Sequence, residues 1–164
     1  MSDYVVEMKG ICRSFGGVQA LKSVDLELRR GEIMGMVGDN GAGKSTLMKV
    51  LSGAHLADEG EIFIDGQKAH IRNPQDAFNL GIGMIYQDFK LVPELSVAEN
   101  ILLGLAEPRF RLDAGRYDAR IAELADRHGL AVDPEARIWQ LSVGEQQRVE
   151  ILKMLYRGAR ILIL

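Results

Sequence analysis

The sequence predicts an α/β domain: an N-terminal antiparallel β subdomain and a phosphate-binding core, followed by an α-helical subdomain. Three observations lead there. Gly38-Asp39-Asn40-Gly41-Ala42-Gly43-Lys44-Ser45-Thr46 fits the phosphate-loop pattern G-x-x-x-x-G-K-[ST], set between an apolar run, Ile33–Val37, and a helix-like segment, Leu47–Leu51. Val24, Leu26 and Leu28 alternate with Asp25, Glu27 and Arg29, as in a strand with one wet face. From about residue 93 the pattern turns helical.

Taken in order, residues 4–8 place Tyr4, Val6 and Met8 on one side of a second half-buried strand, so both early strands belong to an antiparallel sheet. Arg30-Gly31-Glu32 is a turn that introduces a buried strand over Ile33–Val37, which feeds the phosphate loop. Ile62-Phe63-Ile64 ends at the turn dipeptide Asp65-Gly66. Residues 83–86 form a continuous apolar run, the texture of a parallel strand covered on both faces. Ser96 caps a helix that runs through Leu103, with Glu99 as its reciprocal partner. Asp113–His128 reads as a longer helix with Ile121, Leu124, Ala125 and His128 on its stripe and Gly129 past its end. His128 is read as a helix-end residue rather than a catalytic base. Asp133-Pro134-Glu135 breaks the pattern, Val143–Tyr156 resumes it, and Ile161–Leu164 begins another buried strand. The division expected is 1–92 for β subdomain and phosphate-loop core, 93–158 for the helical subdomain, and 159–164 for the start of a core strand.

Composition narrows the function classes. At 164 residues and 47% apolar content the chain can bury a core. Its net charge is −3 and no cluster of Lys and Arg stands out, so a nucleic-acid partner is not expected. No run of 18 apolar residues occurs, and Met1-Ser2-Asp3-Tyr4 does not open a signal peptide. Cys12 is alone, so no disulfide framework is expected and a reducing cytoplasm is the default.

The phosphate loop names a ligand class: a nucleoside triphosphate with magnesium. Several backbone N–H groups must meet phosphate oxygens at once, which only a chain free of side-chain obstruction allows; hence Gly38, Gly41 and Gly43, with Asn40 and Ala42 between them. The following helix start adds unpaired N–H groups and a partial positive charge. Lys44 can reach the outer phosphates, Ser45 can offer its hydroxyl oxygen to Mg²⁺, and Thr46 supports the loop. Gln87 sits just past a buried apolar run, where ligands of open α/β sheets bind. Ser142, with Glu145 three residues on, is by itself a helix-capping pattern.

Together with the phosphate loop, Leu141-Ser142-Val143-Gly144-Glu145-Gln146-Gln147 resembles the L-S-G-G-Q signature of the ABC transporter ATPases. Ser14 to Leu21, Gly81 to Gly104 and Leu141 to Leu164 are similar to one branch of that family, the tandem ATPases of bacterial importers for simple sugars and nucleosides. The resemblance spans nearly the whole chain. It implies a RecA-like P-loop NTPase core, here cut before the core sheet is complete, and the activity of an ATPase coupled to solute import. It implies Phe15 stacked on adenine, Gln87 touching Mg²⁺ or the attacking water, and Ser142 and Gly144 against the γ-phosphate bound on a second unit. Lys44 and Gln87 are then the catalytic candidates, and Ser45 and Gln87 the metal candidates. Val143 and Glu145 depart from the signature's usual glycine and glutamine.

The implied partners are permease subunits, met by roughly Asp88–Leu95, a second ATPase cassette in a head-to-tail sandwich, and a periplasmic or lipid-anchored solute-binding protein. The implied location is peripheral, on the cytoplasmic face of the bacterial inner membrane. In the family an Asp for magnesium and a Glu for water follow the strand that ends here at Leu164, and His55, His70 and His128 all precede the signature and so cannot be the family's switch histidine. The piece is therefore expected to hydrolyse ATP poorly and to be marginal or to associate. Two other readings compete. One is a different P-loop enzyme, a GTPase or small-molecule kinase; a GTPase should carry N-K-x-D, which Asn73-Pro74-Gln75-Asp76 is not. A non-hydrolysing nucleotide-binding or interaction module ending naturally at Leu164 is the alternative.

Overall fold

Two twelve-residue strands, β1 (Tyr4–Phe15) and β2 (Val18–Arg29), form an antiparallel hairpin around Gly16 and Gly17. They open a computed structural model that describes residues 3–86, 88–105 and 114–164. The chain divides into two units, Met1–Ile82 and Gly83–Leu164.

In the first unit β3 (Glu59–Ile64) pairs with the other edge of β1, and β4 (Gln67–Ala69) pairs with β3, giving the order β2-β1-β3-β4. Val6 faces Leu28 on one side and Ile64 on the other, and Met8 lies between Leu26 and Ile62. Being central, β1 buries Val5 as well as Val6, Met8 and Ile11, beyond the one face that alternation alone indicates. On β2 the alternation holds, with Val24, Leu26 and Leu28 half-buried and their charged neighbours exposed. Asp65 and Gly66 join β3 to β4 with φ of 51° and 77°, the doubly left-handed turn that matches the twist of a two-residue hairpin. Helix α1 (Lys44–Leu51) buries Leu47, Val50 and Leu51. Helix α2 (Pro74–Asn79) starts as Asn-Pro sequences favour: the Asn73 side chain accepts the Asp76 N–H at 3.0 Å and proline takes the first turn.

One expectation fails here. Ile33–Val37 is not a buried strand; Ile33 is 99% and Val37 98% exposed. A strand is fixed by its neighbours' hydrogen bonds rather than by its own sequence, and among the described residues no strand pairs with this run. The phosphate loop is therefore entered from an exposed segment without regular secondary structure.

In the second unit β5 (Ile82–Met84) and β6 (Ile161–Ile163) make a two-stranded sheet, continued by the Ile85 N–H donating to the Ile163 carbonyl at 2.9 Å. Helices α3 (Val97–Leu102), α4 (Ala114–Arg127) and α5 (Val143–Tyr156) pack around Val97, Ile101, Ile121, Ala125, Val149 and Leu152. Burying each large aliphatic chain is worth about 1.5–3 kcal/mol, far more than any helix propensity in these short segments. The expected cap of α3 is present: the Ser96 hydroxyl accepts the Glu99 N–H at 3.1 Å while Glu99 accepts the Ser96 N–H at 2.7 Å. Of α4 the described part begins at Ala114, so its expected start at Asp113 lies outside the described residues. His128 is exposed, past the last helical residue, so the buried stripe ends at Ala125.

Candidate functional site

The phosphate loop lies in the first unit, wrapped onto β2. Gly43 closes it with φ 88° and is the N-cap of α1. A Cβ at Gly43 would stand 2.7 Å from the Ala20 carbonyl oxygen and 2.9 Å from a Leu21 methyl, so only glycine lets the loop lie this close to the strand. The Leu47 N–H donates to the Gly43 carbonyl at 2.9 Å, the first bond of the helix ladder. With no side chain at the cap and no acidic residue in the first turn, the positive end of α1 is left for an outside anion. The Lys44 ammonium folds back over the loop and donates to the Gly38 carbonyl at 2.6 Å and the Asp39 carbonyl at 2.8 Å. That ties a mobile cation to the ring of N–H groups it is expected to serve. Ser45 is exposed and Thr46 half-buried beside it.

Phe15 ends β1 in the same unit and is 39% exposed. Its ring is framed by residues that the sequence did not single out. The Arg13 guanidinium lies 4.7 Å from the ring centroid, and His55 meets the ring edge-on at 5.2 Å. Asp58 holds this corner together, accepting from Arg13 Nη1 at 2.6 Å and from the Ser14 N–H at 2.7 Å. Arg13 and Asp58 are 45 residues apart, so no local pattern announces them. An aromatic fixed at a strand end and partly open to solvent is the form a base-stacking platform takes.

The second unit carries Ser142 and Gly144. Ser142 is the N-cap of α5 and shares a reciprocal box with Glu145: the Ser142 N–H and hydroxyl donate to Glu145 Oε2 at 2.8 and 2.6 Å, and the Glu145 N–H donates to Ser142 Oγ at 3.4 Å. Ser142, Val143 and Gly144 are exposed. The Glu145 carboxylate is therefore turned back onto the cap instead of standing free at the helix start. The Ser142 hydroxyl, and then its N–H, hold the Glu145 carboxyl below its ordinary value. A depressed carboxyl stabilises the box above the ordinary Glu range, and that stabilisation is lost as pH falls through the lowered value. The Ser142 and Glu145 amide shifts, followed by NMR as pH falls, should move together and later than those of an exposed Glu. Movement at the ordinary Glu value would show that the box does not hold in solution.

Gln87 lies outside the described residues. The remaining candidates fall into two sets, Phe15 with Gly38–Thr46 in one unit and Ser142 with Gly144 in the other. Among the described residues no group of three or more His, Cys, Asp or Glu is placed to hold a metal ion. The Ser45 hydroxyl at the mouth of the loop suits a cation such as Mg²⁺, which takes one or two protein oxygens and completes its shell with phosphates and water. No described helix is long and apolar enough to cross a membrane.

Comparison with known proteins places these features. The family model described as ABC transporter matches residues 21–164. The guanosine import ATP-binding protein NupO of Bacillus subtilis (strain 168) is 49% identical over 162 residues, 98% of this chain and 32% of that protein. The ribose import ATP-binding protein RbsA 1 of Rubrobacter xylanophilus is 50% identical over 161 residues, again 98% of this chain and 32% of that protein. This chain thus spans about a third of the length of such relatives. Among solved structures, cbiO1 of Clostridium perfringens, part of the ABC transporter complex cbiONQ, superposes with a TM-score of 0.80 at 25% identity, over 98% of this chain and 64% of that one. The dimeric structure of MJ0796, a bacterial ABC transporter cassette, gives 0.74 at 28% identity, over 96% and 72%. The antiparallel β subdomain and the helices are those of the ABC ATPase cassette fold.

Proposed function

We propose that this chain, which belongs to the ABC transporter family, forms part of the ATP-binding subunit that energises a bacterial importer for a simple sugar or a nucleoside. The observation that carries the proposal is the phosphate loop itself: Gly43 seated on β2, an α1 start without a side-chain cap, and Lys44 held over the loop carbonyls. The relatives add the solute class, since those matched are import ATP-binding proteins for guanosine, glucose, ribose and arabinose. For these 164 residues the proposed act is nucleotide binding; hydrolysis and transport are proposed for the whole protein.

The roles follow from the chemistry of each group. The backbone N–H groups of Gly41 to Thr46 wrap the phosphates, and Lys44 moves from carbonyl oxygens to phosphate oxygens, which carry more negative charge. Phe15 offers its open face to adenine, and Ser45 offers its hydroxyl to Mg²⁺. Bound ATP with Mg²⁺ supplies the phosphoryl group that water takes. Gln87 is assigned to the metal or to that water. Ser142 and Gly144 are assigned to the γ-phosphate held by a second cassette; on this reading the Ser142 hydroxyl exchanges its bond to Glu145 for one to phosphate. Permease subunits and a periplasmic or lipid-anchored solute-binding protein complete the proposed system, with this chain peripheral on the cytoplasmic face of the inner membrane.

The test is transport. The whole protein, reconstituted with its permease and solute-binding protein in liposomes, should drive ATP-dependent uptake of one pentose, hexose or nucleoside. Uptake should vanish in Lys44→Ala. ATP hydrolysis without uptake of any of these solutes would overturn the importer assignment while leaving the ATPase.

A further inference from the structure

Three buried polar residues of the second unit spend their hydrogen bonds on one short piece of backbone. Glu150 (5% exposed) and Lys153 (8%) lie on adjacent turns of α5, and Asn100 (0%) lies in α3. Glu150 Oε1 accepts the Lys90 N–H at 2.8 Å, and Lys153 Nζ donates to the Lys90 carbonyl at 3.1 Å. One peptide-bearing residue is thus gripped at both its polar groups by side chains of opposite charge. Two residues on, Asn100 does the same alone: its Oδ1 accepts the Val92 N–H at 2.7 Å, and its Nδ2 donates to the Val92 carbonyl at 3.1 Å and to Ser96 at 2.9 Å.

The energetics make this unusual. Burying a charge is costly, and an apolar pair of similar volume is often as stable or more so. Burial pushes the Lys153 ammonium's pKa down, with Glu150 opposing that push. Packing alone therefore does not explain why α5 carries Glu150 and Lys153 inward. What they do secure is register. With Lys90 and Val92 pinned, their neighbours Phe89, Leu91 and Pro93 line, together with Asp88 and Trp139, an open groove of about 570 Å³. Trp139 is 67% exposed. The same rigid helix begins at Ser142, about 12 Å from Glu150 at 1.5 Å per residue.

We propose that Glu150, Lys153 and Asn100 are positioning residues: they fasten the backbone at 90–92 to α5 and α3, so that this segment and the groove beside it move with the Ser142 end of α5. The coupling part rests on the reading of Ser142 as phosphate-facing and of 88–95 as permease-facing. The clamp makes the two ends one mechanical piece, with a helix between them and hydrogen bonds, rather than slippery apolar contacts, at the far joint.

The decisive variant is the double substitution Glu150→Met with Lys153→Met in the whole protein. It removes both charges together, so no orphan ion is left in the core and the fold is kept; circular dichroism melting checks this. Three quantities are read: amide exchange at Lys90, ATP affinity, and stimulation of ATP hydrolysis by the permease. The expected result is Lys90 exchange faster by at least about tenfold, as for an amide that loses its partner, ATP affinity unchanged within about twofold, and permease stimulation lost through kcat rather than KM. Glu150→Gln, which keeps the acceptor for the Lys90 N–H, should restore most of the stimulation when Lys153 is present. Should the double variant fail to fold, Asn100→Leu gives the same readout at Val92, because it removes the acceptor of the Val92 N–H and both Nδ2 bonds without placing a charge in the core. Unchanged exchange at the tested residue overturns the clamp. Lost protection with full permease stimulation overturns the coupling but leaves the importer reading intact. A wild-type protein that its permease does not stimulate overturns both.

Discussion

Replacing Lys44 by alanine should weaken ATP·Mg²⁺ binding by roughly 10- to 100-fold and lower turnover of the whole protein by about 10²–10³-fold. The ammonium is the strongest point charge at the loop, and its two bonds to the Gly38 and Asp39 carbonyls keep it at the mouth before any phosphate arrives. Removing it deletes a charge-assisted hydrogen bond to the ligand without opening a cavity, since Lys44 is only half-buried. Thermal melting should therefore move little while binding collapses. Wild-type affinity in Lys44→Ala would mean that the loop is a structural turn and that nucleotide, if bound, sits elsewhere.

Gly43→Ala should act in the opposite proportion, on the fold and the site together. The new methyl would meet a backbone oxygen at 2.7 Å, and the residue would be held at φ 88°, where L-residues are strained. Neither the loop nor β2 can yield without losing its own bonds, so about 2–4 kcal/mol of destabilisation is expected. That is a fall in melting temperature of about 5–15 °C for a chain of this size. Gly41→Ala is the internal control. Gly41 has nearly the same φ, 87°, but nothing lies within 4 Å of its Cβ direction. It should cost only the backbone strain, about 1–2 kcal/mol. Equal losses at both positions would show that the contact with β2 does not exist in solution.

What the sequence made legible is local. Both S-x-x-E patterns became reciprocal caps, at Ser96 with Glu99 and at Ser142 with Glu145, because a cap needs only four consecutive residues. The span Val143–Tyr156 matches α5 end to end, and Asp65-Gly66 makes the predicted turn. What escaped depends on residues far apart in the chain. Ile33–Val37 has the composition of a strand but lacks a pairing partner among the described residues. The corner around Phe15 needs Asp58, and the clamp on Lys90 needs Glu150 sixty residues away. On a helix, Glu150 and Lys153 read as ordinary solvent-facing charges, and nothing in the heptad-scale pattern says that they point inward. Helix α2 escapes for a different reason: Asn73-Pro74 offers a good N-cap and a first-turn proline, but six residues are too few to show a hydrophobic stripe.

On the proposed function, the loop from Gly38 to Thr46 binds ATP. Titration calorimetry of the protein with ATP·Mg²⁺, then with GTP·Mg²⁺, and again in Lys44→Ala, tests it most directly. The predicted result is one ATP site per chain, no strong selectivity for GTP, and loss of the binding heat in the variant. Absence of binding to the unmodified protein, or strong selectivity for GTP, would contradict it.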